Sequence, residues 1–145
     1  MKSVSAVVLA LLVVLTLSAA DASIYGTWKM RPSGVPGEKS KQVQTITQVA
    51  GGVKVNTDID LGDGTTMSFS YTTKFDGAEV PVYSAGKVVM TIRGKKTGPN
   101  TWEGTTSANG MTSRFKTTLS ADGKVLTSES MDGQTKSRSV FDRVR

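Results

Sequence analysis

The residues that most often carry enzyme chemistry are scarce in this sequence. Its 145 residues include no histidine and no cysteine, which excludes a Ser-His or Cys-His nucleophile system and a histidine-based metal site. Three glutamates, Glu79, Glu103 and Glu129, are scattered, and nothing in their spacing pairs two of them as a general acid and base. The composition therefore predicts a protein that is not an enzyme, with no catalytic residue, no cofactor and no metal. An enzyme is the least favoured alternative, since a small barrel could isomerise or cyclise a bound molecule with Tyr, Lys and Glu alone.

Two short patterns suggest chemistry but are better explained by structure. Ser84–Lys87 and Ser113–Lys116 both spell Ser-x-x-Lys, which in penicillin-recognising enzymes is one motif of a set carried by a much larger chain. Three aspartates between positions 58 and 63 begin like a calcium loop, but Phe69 stands where the bidentate glutamate is required. We interpret the first pattern as chance and the second as outward strand carboxylates before an Asp-Gly turn.

The N-terminus has the pattern of a secretory signal peptide. Met1-Lys2 is positive, Ala6 to Leu17 is apolar apart from Thr16, and residues 18–22 are small. The apolar run is shorter than the roughly 20 residues that span a membrane. We therefore expect a signal peptide over residues 1–22, a single domain over 23–145, and export to the periplasm or the medium. The lack of cysteine in an exported chain favours a bacterial protein.

The rest of the chain has the period-two alternation of half-buried strands. Apolar residues alternate with Ser, Thr and Lys, and Gly-Gly, Asp-Gly or Asn-Gly pairs recur at the spacing of hairpin turns. The sequence predicts an all-β fold, a single closed antiparallel up-and-down barrel of about 8–10 strands. An outer-membrane barrel is disfavoured because the lysines share the polar face. Near the C-terminus, the adjacent Val140 and Phe141 predict a bulge or register shift.

Several stretches resemble the bacterial lipocalin-like (calycin) barrels. Gly26-Thr27-Trp28 is similar to the Gly-x-Trp signature on their first strand, and the hairpin over residues 71–82 and the ending over 120–143 look like theirs. In that family the tryptophan closes the barrel floor beside a basic residue of the last strand. The resemblance therefore implies that Gly26, Trp28 and Arg143 close the barrel, with Arg138 as the second candidate for the basic residue. A guanidinium over an indole is a favourable cation–π pair.

The inward-facing residues of such a barrel could line a binding pocket. Most are apolar, three methionines would adapt to varied ligands, and Thr57, Tyr71 and Thr117 add polar groups. The loop Pro32–Lys41 would lie near one mouth as a lid. The same side chains could instead fill a small barrel, and the sequence leaves both possibilities open. The candidate ligand-binding residues are Val55, Thr57, Met67, Phe69, Tyr71, Met90, Ile92, Trp102, Met111, Phe115 and Thr117.

Two functions are consistent with this pattern. The first is an exported, non-catalytic protein that binds or carries a small hydrophobic or amphipathic ligand. The alternative is an envelope interaction module with a filled barrel that acts through its loops or basic outer face. Arg114, Lys116, Lys136 and Arg138 could align on neighbouring strands, and the net charge of +6 suits an anionic surface. No nucleic-acid partner is expected, because basic and aromatic residues do not interleave.

Overall fold

The computed structural model describes residues 23–144, which form ten β-strands and no helix. The predicted signal peptide falls on residues 1–22, outside the described residues. No helix in residues 23–144 is long and apolar enough to cross a membrane. The strands are β1 (Gly26–Met30), β2 (Lys41–Val49), β3 (Gly52–Asp60), β4 (Thr66–Thr73), β5 (Asp76–Ser84), β6 (Lys87–Gly98), β7 (Thr101–Ala108), β8 (Met111–Leu119), β9 (Val125–Asp132) and β10 (Thr135–Arg143).

The strands form one closed antiparallel barrel. Each strand pairs with the next along the chain, and β1 pairs with β10 to close the ring. The predicted all-β, up-and-down barrel is therefore confirmed, and closure gives every strand a neighbour on both sides. The shortest ladder joins β4 to β5, where only Ser70 and Tyr83 are Cα partners among the described residues.

Tight turns join the strands at the glycine dipeptides. Asn109 and Gly110 have positive φ values of 51° and 76°, as a two-residue type I′ hairpin requires. The turn expected near Ser84 is also present, with Ala85 and Gly86 at φ values of 49° and 75°. These short connections keep successive strands adjacent, so the order along the chain becomes the order around the barrel.

The bulge predicted near Val140 and Phe141 is wrong. β9 and β10 pair in one unbroken register over eight positions. Phe141 points into the barrel and is 3% exposed, whereas Val140 is half-buried on the other face. One valine on the outer face of a sheet costs little, so the strand needs no bulge. The register shifts lie instead between β5 and β6 and between β6 and β7.

The two ends of the barrel differ. The turns after β2, β4, β6 and β8 meet at one end, here called the floor, together with the start of β1 and the end of β10. The turns after the other strands meet at the opposite end, here called the rim. An apolar cluster toward the floor contains eight of the ten buried apolar side chains of the described chain. Its members are Ile24, Trp28, Ile46, Val55, Trp102, Leu119, Leu126 and Phe141.

Candidate functional site

Trp28 and Arg143 close the floor of the barrel. The two residues are Cα partners across the β1–β10 seam, and the guanidinium carbon of Arg143 lies 4.3 Å from the centroid of the Trp28 ring. The indole Nε1 donates to the Ile24 carbonyl over 2.9 Å. Arg143 donates from Nε to the Gly123 carbonyl over 2.7 Å and from a terminal nitrogen to the Tyr25 carbonyl over 2.6 Å. The arginine thereby joins the chain before β1 to the turn after β8.

An interior cavity lies above this floor. Its volume is about 280 Å³, just below the usual range for small-molecule sites. The cavity has two chemically different walls, described below, and the floor cluster forms its base. The lining side chains are Ile24, Gln42, Gln44, Ile46, Val55, Tyr71, Phe75, Ile92, Trp102, Thr106, Ser113, Arg114, Phe115, Thr117, Leu126, Ser128, Ser130, Ser139 and Phe141.

One wall of the cavity carries hydroxyl groups. It is formed by β8, β9 and β10, where Thr117, Ser128 and Ser139 follow one another across the register. Thr117 Oγ1 donates to Ser128 Oγ over 3.4 Å, and a second hydroxyl pair one row nearer the rim, Ser130 and Ser137, lies at 2.5 Å. Each hydroxyl has further hydrogen-bonding capacity, so this wall can bind polar atoms of a ligand.

The opposite wall is apolar and aromatic. It is formed by β3, β4, the turn after β4, and β6, which contribute Val55, Tyr71, Phe75 and Ile92. The Phe75 ring packs against Trp102 with 6.2 Å between the ring centroids. A ligand between the two walls would bury an apolar side against these residues and present polar atoms to the hydroxyl wall.

Room for the aromatic rings comes from a pair of glycines. Gly94 on β6 and Gly104 on β7 are Cα partners. A Cβ added at Gly94 would lie 3.1 Å from Phe75 Cδ1, and one at Gly104 would lie 2.8 Å from Phe115 Cζ. The two rings therefore lie against the wall where side chains are missing, which leaves the centre of the barrel open.

Among the described residues that line the cavity, Tyr71 is the one whose pKa is clearly shifted. Burial raises the pKa of the Tyr71 phenol to about 12, because the low-dielectric interior disfavours the phenolate. The pKa in the unfolded chain is about 10. The phenol is therefore neutral at physiological pH, when it can donate a hydrogen bond to a ligand.

We expect alkaline pH to destabilise the fold partly through Tyr71. Because the folded pKa exceeds the unfolded one, this contribution to stability is complete below about pH 10 and is lost as pH rises toward 12. Its size is at most about 2–3 kcal/mol, from two pKa units. The measurement is tyrosinate absorbance of the wild type minus that of Tyr71→Phe across this pH range. A difference curve with its midpoint near pH 10 would contradict the expectation.

Six of the eleven candidate residues from the sequence line the cavity, namely Val55, Tyr71, Ile92, Trp102, Phe115 and Thr117. The other five do not. Met67 and Met111 begin their strands at the rim and are 41% and 62% exposed. Phe69 and Met90 are half-buried outside the cavity lining. Thr57 accepts a hydrogen bond from Gln44 over 3.3 Å.

Of the hydroxyl wall, the sequence predicted Thr117 but not Ser128, Ser130 or Ser139. Ser128 and Ser130 share the strand parity of Leu126, and Ser139 shares that of Phe141. The alternation along β9 and β10 therefore indicated that these serines face inward. From the sequence, however, small polar residues are predicted to lie on the solvent side. A barrel wide enough to hold a cavity can place such residues inside, and the sequence does not state the width.

The loop between β1 and β2 is ordered by its own polar side chains. Glu38 accepts hydrogen bonds from the backbone and hydroxyl of Ser33, and these bonds lower the pKa of the Glu38 carboxyl. Just before the loop, Arg31 donates two hydrogen bonds to Asp142, at 2.6 and 2.7 Å. The start of the loop is thereby fixed beside β10.

The aspartates before the turn after β3 are occupied by local bonds. Asp60 accepts from the Gly62 amide and Asp63 from the Thr65 amide, each over 2.8 Å. Asp58 accepts from the Ser68 hydroxyl over 2.6 Å. These are turn and cross-strand contacts of the kind expected for Asp-Gly turns.

The basic residues singled out in the sequence come together on the outer surface. Arg114, Lys116, Lys136 and Arg138 line one groove of about 700 Å³ across β7 to β10. Acidic residues are interleaved with them, since Glu103, Lys116, Glu129 and Arg138 follow one another across the register. Lys116 Nζ lies 3.8 Å from a Glu103 oxygen. The acidic residues therefore offset part of the positive charge of this groove.

Comparison with known proteins gives structural likeness without sequence likeness. No protein-family model and no curated protein matches the chain. Among solved structures, the fluorescent protein UnaG matches with a TM-score of 0.57 and 14% identity over 83% of this chain and 96% of that one. An alanine mutant of UnaG matches at 0.58 and 14%, with the same coverage, and a glutamine mutant at 0.59 and 18% over 83% and 95%. At these identities the likeness shows the fold alone, which is a closed antiparallel β-barrel.

Proposed function

We propose that this protein binds a small amphipathic molecule inside its barrel. The observation that carries the proposal is the interior cavity, with an apolar wall on β3 to β6 facing a hydroxyl wall on β8 to β10. Burial of an apolar ligand surface supplies affinity, and a few fixed polar groups orient the ligand. The fold agrees with this proposal, since a closed barrel, similar in shape to that of the fluorescent protein UnaG, encloses the cavity.

The cavity volume limits the size of the ligand. About 280 Å³ equals the liquid volume of roughly nine water molecules. A single alkyl chain or a fused two-ring aromatic compound is of the right scale, whereas a multi-chain lipid is too large without rearrangement of the barrel. The hydroxyl wall selects against a pure hydrocarbon, since an apolar contact would leave its polar atoms without partners.

The alternative, an interaction module acting through a filled barrel, is less well supported. The cavity argues against a filled interior, and the alternating acidic and basic residues on the outer groove reduce its attraction for an anionic surface. Exposed apolar side chains do gather around the rim, including Leu61, Met67 and Met111. We interpret them as part of the route by which an apolar ligand reaches the cavity.

We further propose that the protein is exported and acts without catalysis. Export rests on the basic start, the apolar run and the small residues of positions 1–22, and mass spectrometry of the secreted or periplasmic protein tests it through a start at Asp21 or Ser23. Recovery of a chain that begins at Met1 would contradict it. The absence of histidine and cysteine supports binding without catalysis.

The binding test compares two neighbouring threonines that face opposite sides of β8. Thr117 lines the cavity, whereas Thr118 is exposed on the outer face. N-phenyl-1-naphthylamine, a neutral dye that fluoresces in apolar sites, is titrated into the purified protein after extraction of bound lipid. We expect saturable one-site binding to the wild type and an affinity at least about tenfold lower for Thr117→Phe, since the ring occupies the cavity. We expect Thr118→Phe to bind like the wild type.

Folding of each variant is checked by near-ultraviolet circular dichroism before binding is measured. If Thr117→Phe does not fold, Ser128→Leu fills the same wall with a smaller side chain. Absence of saturable binding in the folded wild type would overturn the proposed function. Equal affinity of Thr117→Phe, Thr118→Phe and wild type would place the dye outside the barrel and would equally contradict it.

A further inference from the structure

Arg114 occupies a unique position in the barrel wall. It is the only charged residue of the described chain that borders the interior cavity. Its exposed side chain alternates with the inward-facing Ser113 and Phe115 along β8 and lines the outer groove across β7 to β10. Phe115 and Ser130 are the other two residues common to both. The cavity and the groove therefore lie on either side of one short piece of wall, formed by β8 and β9.

The wall ends at this point. Arg114 and Met131 are the last Cα partners of the β8–β9 ladder toward the rim. Beyond them β8 continues to Met111 in pairing with β7 alone, while β9 continues to Asp132 in pairing with β10. The two hairpins separate here, so a group at Arg114 can lie outside the barrel while the rest of the same molecule lies inside.

The row of residues that contains Arg114 carries positive charge only. Arg114, Met131 and Lys136 follow one another across β8, β9 and β10 with no carboxylate among them, in contrast to the alternating row one step nearer the floor. Arg31 and Arg93 each make an ion pair, and Arg143 binds backbone carbonyls. Within residues 23–144, the guanidinium of Arg114 makes no hydrogen bond and no ion pair.

We propose that Arg114, assisted by Lys136, binds the anionic headgroup of an amphiphile whose apolar part lies in the barrel. The headgroup class is a carboxylate or sulfonate, since the planar guanidinium binds two oxygens of such a group at once. Adjacent strands are about 4.8 Å apart, so Arg114 and Lys136 lie about 10 Å apart and Lys136 contributes through its flexible side chain. The inference rests on the proposed function and specifies its ligand.

The test uses two dyes that differ by one anionic group. N-phenyl-1-naphthylamine is neutral, and 1-anilinonaphthalene-8-sulfonate carries the same ring system with a sulfonate. Both are titrated into wild type, Arg114→Gln and Lys54→Gln. Lys54 is an exposed lysine on the outer face of β3, so its replacement removes one positive charge far from the groove.

We expect Arg114→Gln to lower the affinity for the sulfonate dye by about threefold to tenfold, which is the usual effect of removing a partly exposed hydrogen bond between charged groups. The affinity of the neutral dye should change by less than about twofold. Lys54→Gln should leave both dyes unchanged, and Arg114→Lys should restore part of the sulfonate affinity. The sulfonate affinity of the wild type should also fall as salt is raised.

The outcomes separate the two proposals. If the neutral dye binds and Arg114→Gln affects both dyes equally or neither, the cavity function stands and the headgroup site is wrong. If Lys54→Gln weakens the sulfonate dye as much as Arg114→Gln does, the effect is one of net charge and the site is also wrong. If neither dye binds folded wild type, the cavity function fails and the headgroup site fails with it.

Discussion

Replacement of Trp28 by alanine is expected to lower the free energy of unfolding by about 3–5 kcal/mol. Trp28 is fully buried, with 0% of its surface exposed, and it supports the Arg143 guanidinium on one face. The change would create a large cavity at the floor, remove the hydrogen bond to Ile24, and leave Arg143 without its aromatic partner. Single domains are stable by about 5–15 kcal/mol, so the loss is a large part of the total.

The measurement is urea unfolding followed by far-ultraviolet circular dichroism, which does not depend on tryptophan fluorescence. Trp28→Phe keeps a ring over the guanidinium and loses only the indole hydrogen bond and some volume, so it should cost about 1–2 kcal/mol. Tyr83→Ala, at a side chain that is 43% exposed, serves as the control and should cost less. A Trp28→Ala protein within about 1 kcal/mol of wild type would show that the floor is not a stabilising element.

Replacement of Gly104 by alanine is expected to cost about 3 kcal/mol or more, a large effect for one methyl group. A Cβ at this position would lie 1.8 Å from the Arg93 carbonyl oxygen and 2.8 Å from Phe115 Cζ. The carbonyl belongs to the backbone of the neighbouring strand, so it cannot rotate away as a side chain would. The β6–β7 ladder must therefore open or shift to accept the methyl group.

Two other glycines provide a graded control for this prediction. At Gly94 the new Cβ would meet the Phe75 ring at 3.1 Å, which the ring can relieve by a small movement, so a cost near 1 kcal/mol is expected. At Gly98 the nearest contact is the Thr101 side chain at 3.6 Å, an ordinary distance, and the cost should be about 0.5 kcal/mol or less. Thermal or urea unfolding that does not follow this order would contradict the contacts at the glycine pair.

The fold could be predicted from the sequence because its signals are local. Alternation fixes which residues of a strand share a face, and dipeptides such as Asn109-Gly110 fix the hairpin turns. A sheet made only of short hairpins, with one apolar face, has unpaired strands at its two edges. Closure into a barrel is the simplest way to pair them. The position of the register shifts was not predictable, since a bulge depends on how the whole sheet bends.

The cavity was only partly predictable, for geometric reasons. Parity places Met67 and Met111 on the inner face, but their position along the strand puts them at the rim, beyond the cavity. The position of a residue along the barrel axis depends on the stagger between strands, which cannot be predicted from a local sequence pattern. The role proposed for Arg114 depends on where the β8–β9 ladder stops, and this is a property of the assembled wall.

The seam between the first and last strands also determines when the protein can become native. Arg143 binds the Tyr25 carbonyl from a position 118 residues further along the chain. Contacts of such long sequence separation form late in folding. The chain must first lose the entropy of closing the intervening loop, and only then do the contacts stabilise it. Until β10 is in place, β1 and β9 both present unpaired edges that can associate with other chains. Closure of the barrel therefore waits for the last strand. A nascent chain that lacks β10 can form the hairpins of β1 to β9 but cannot close the barrel.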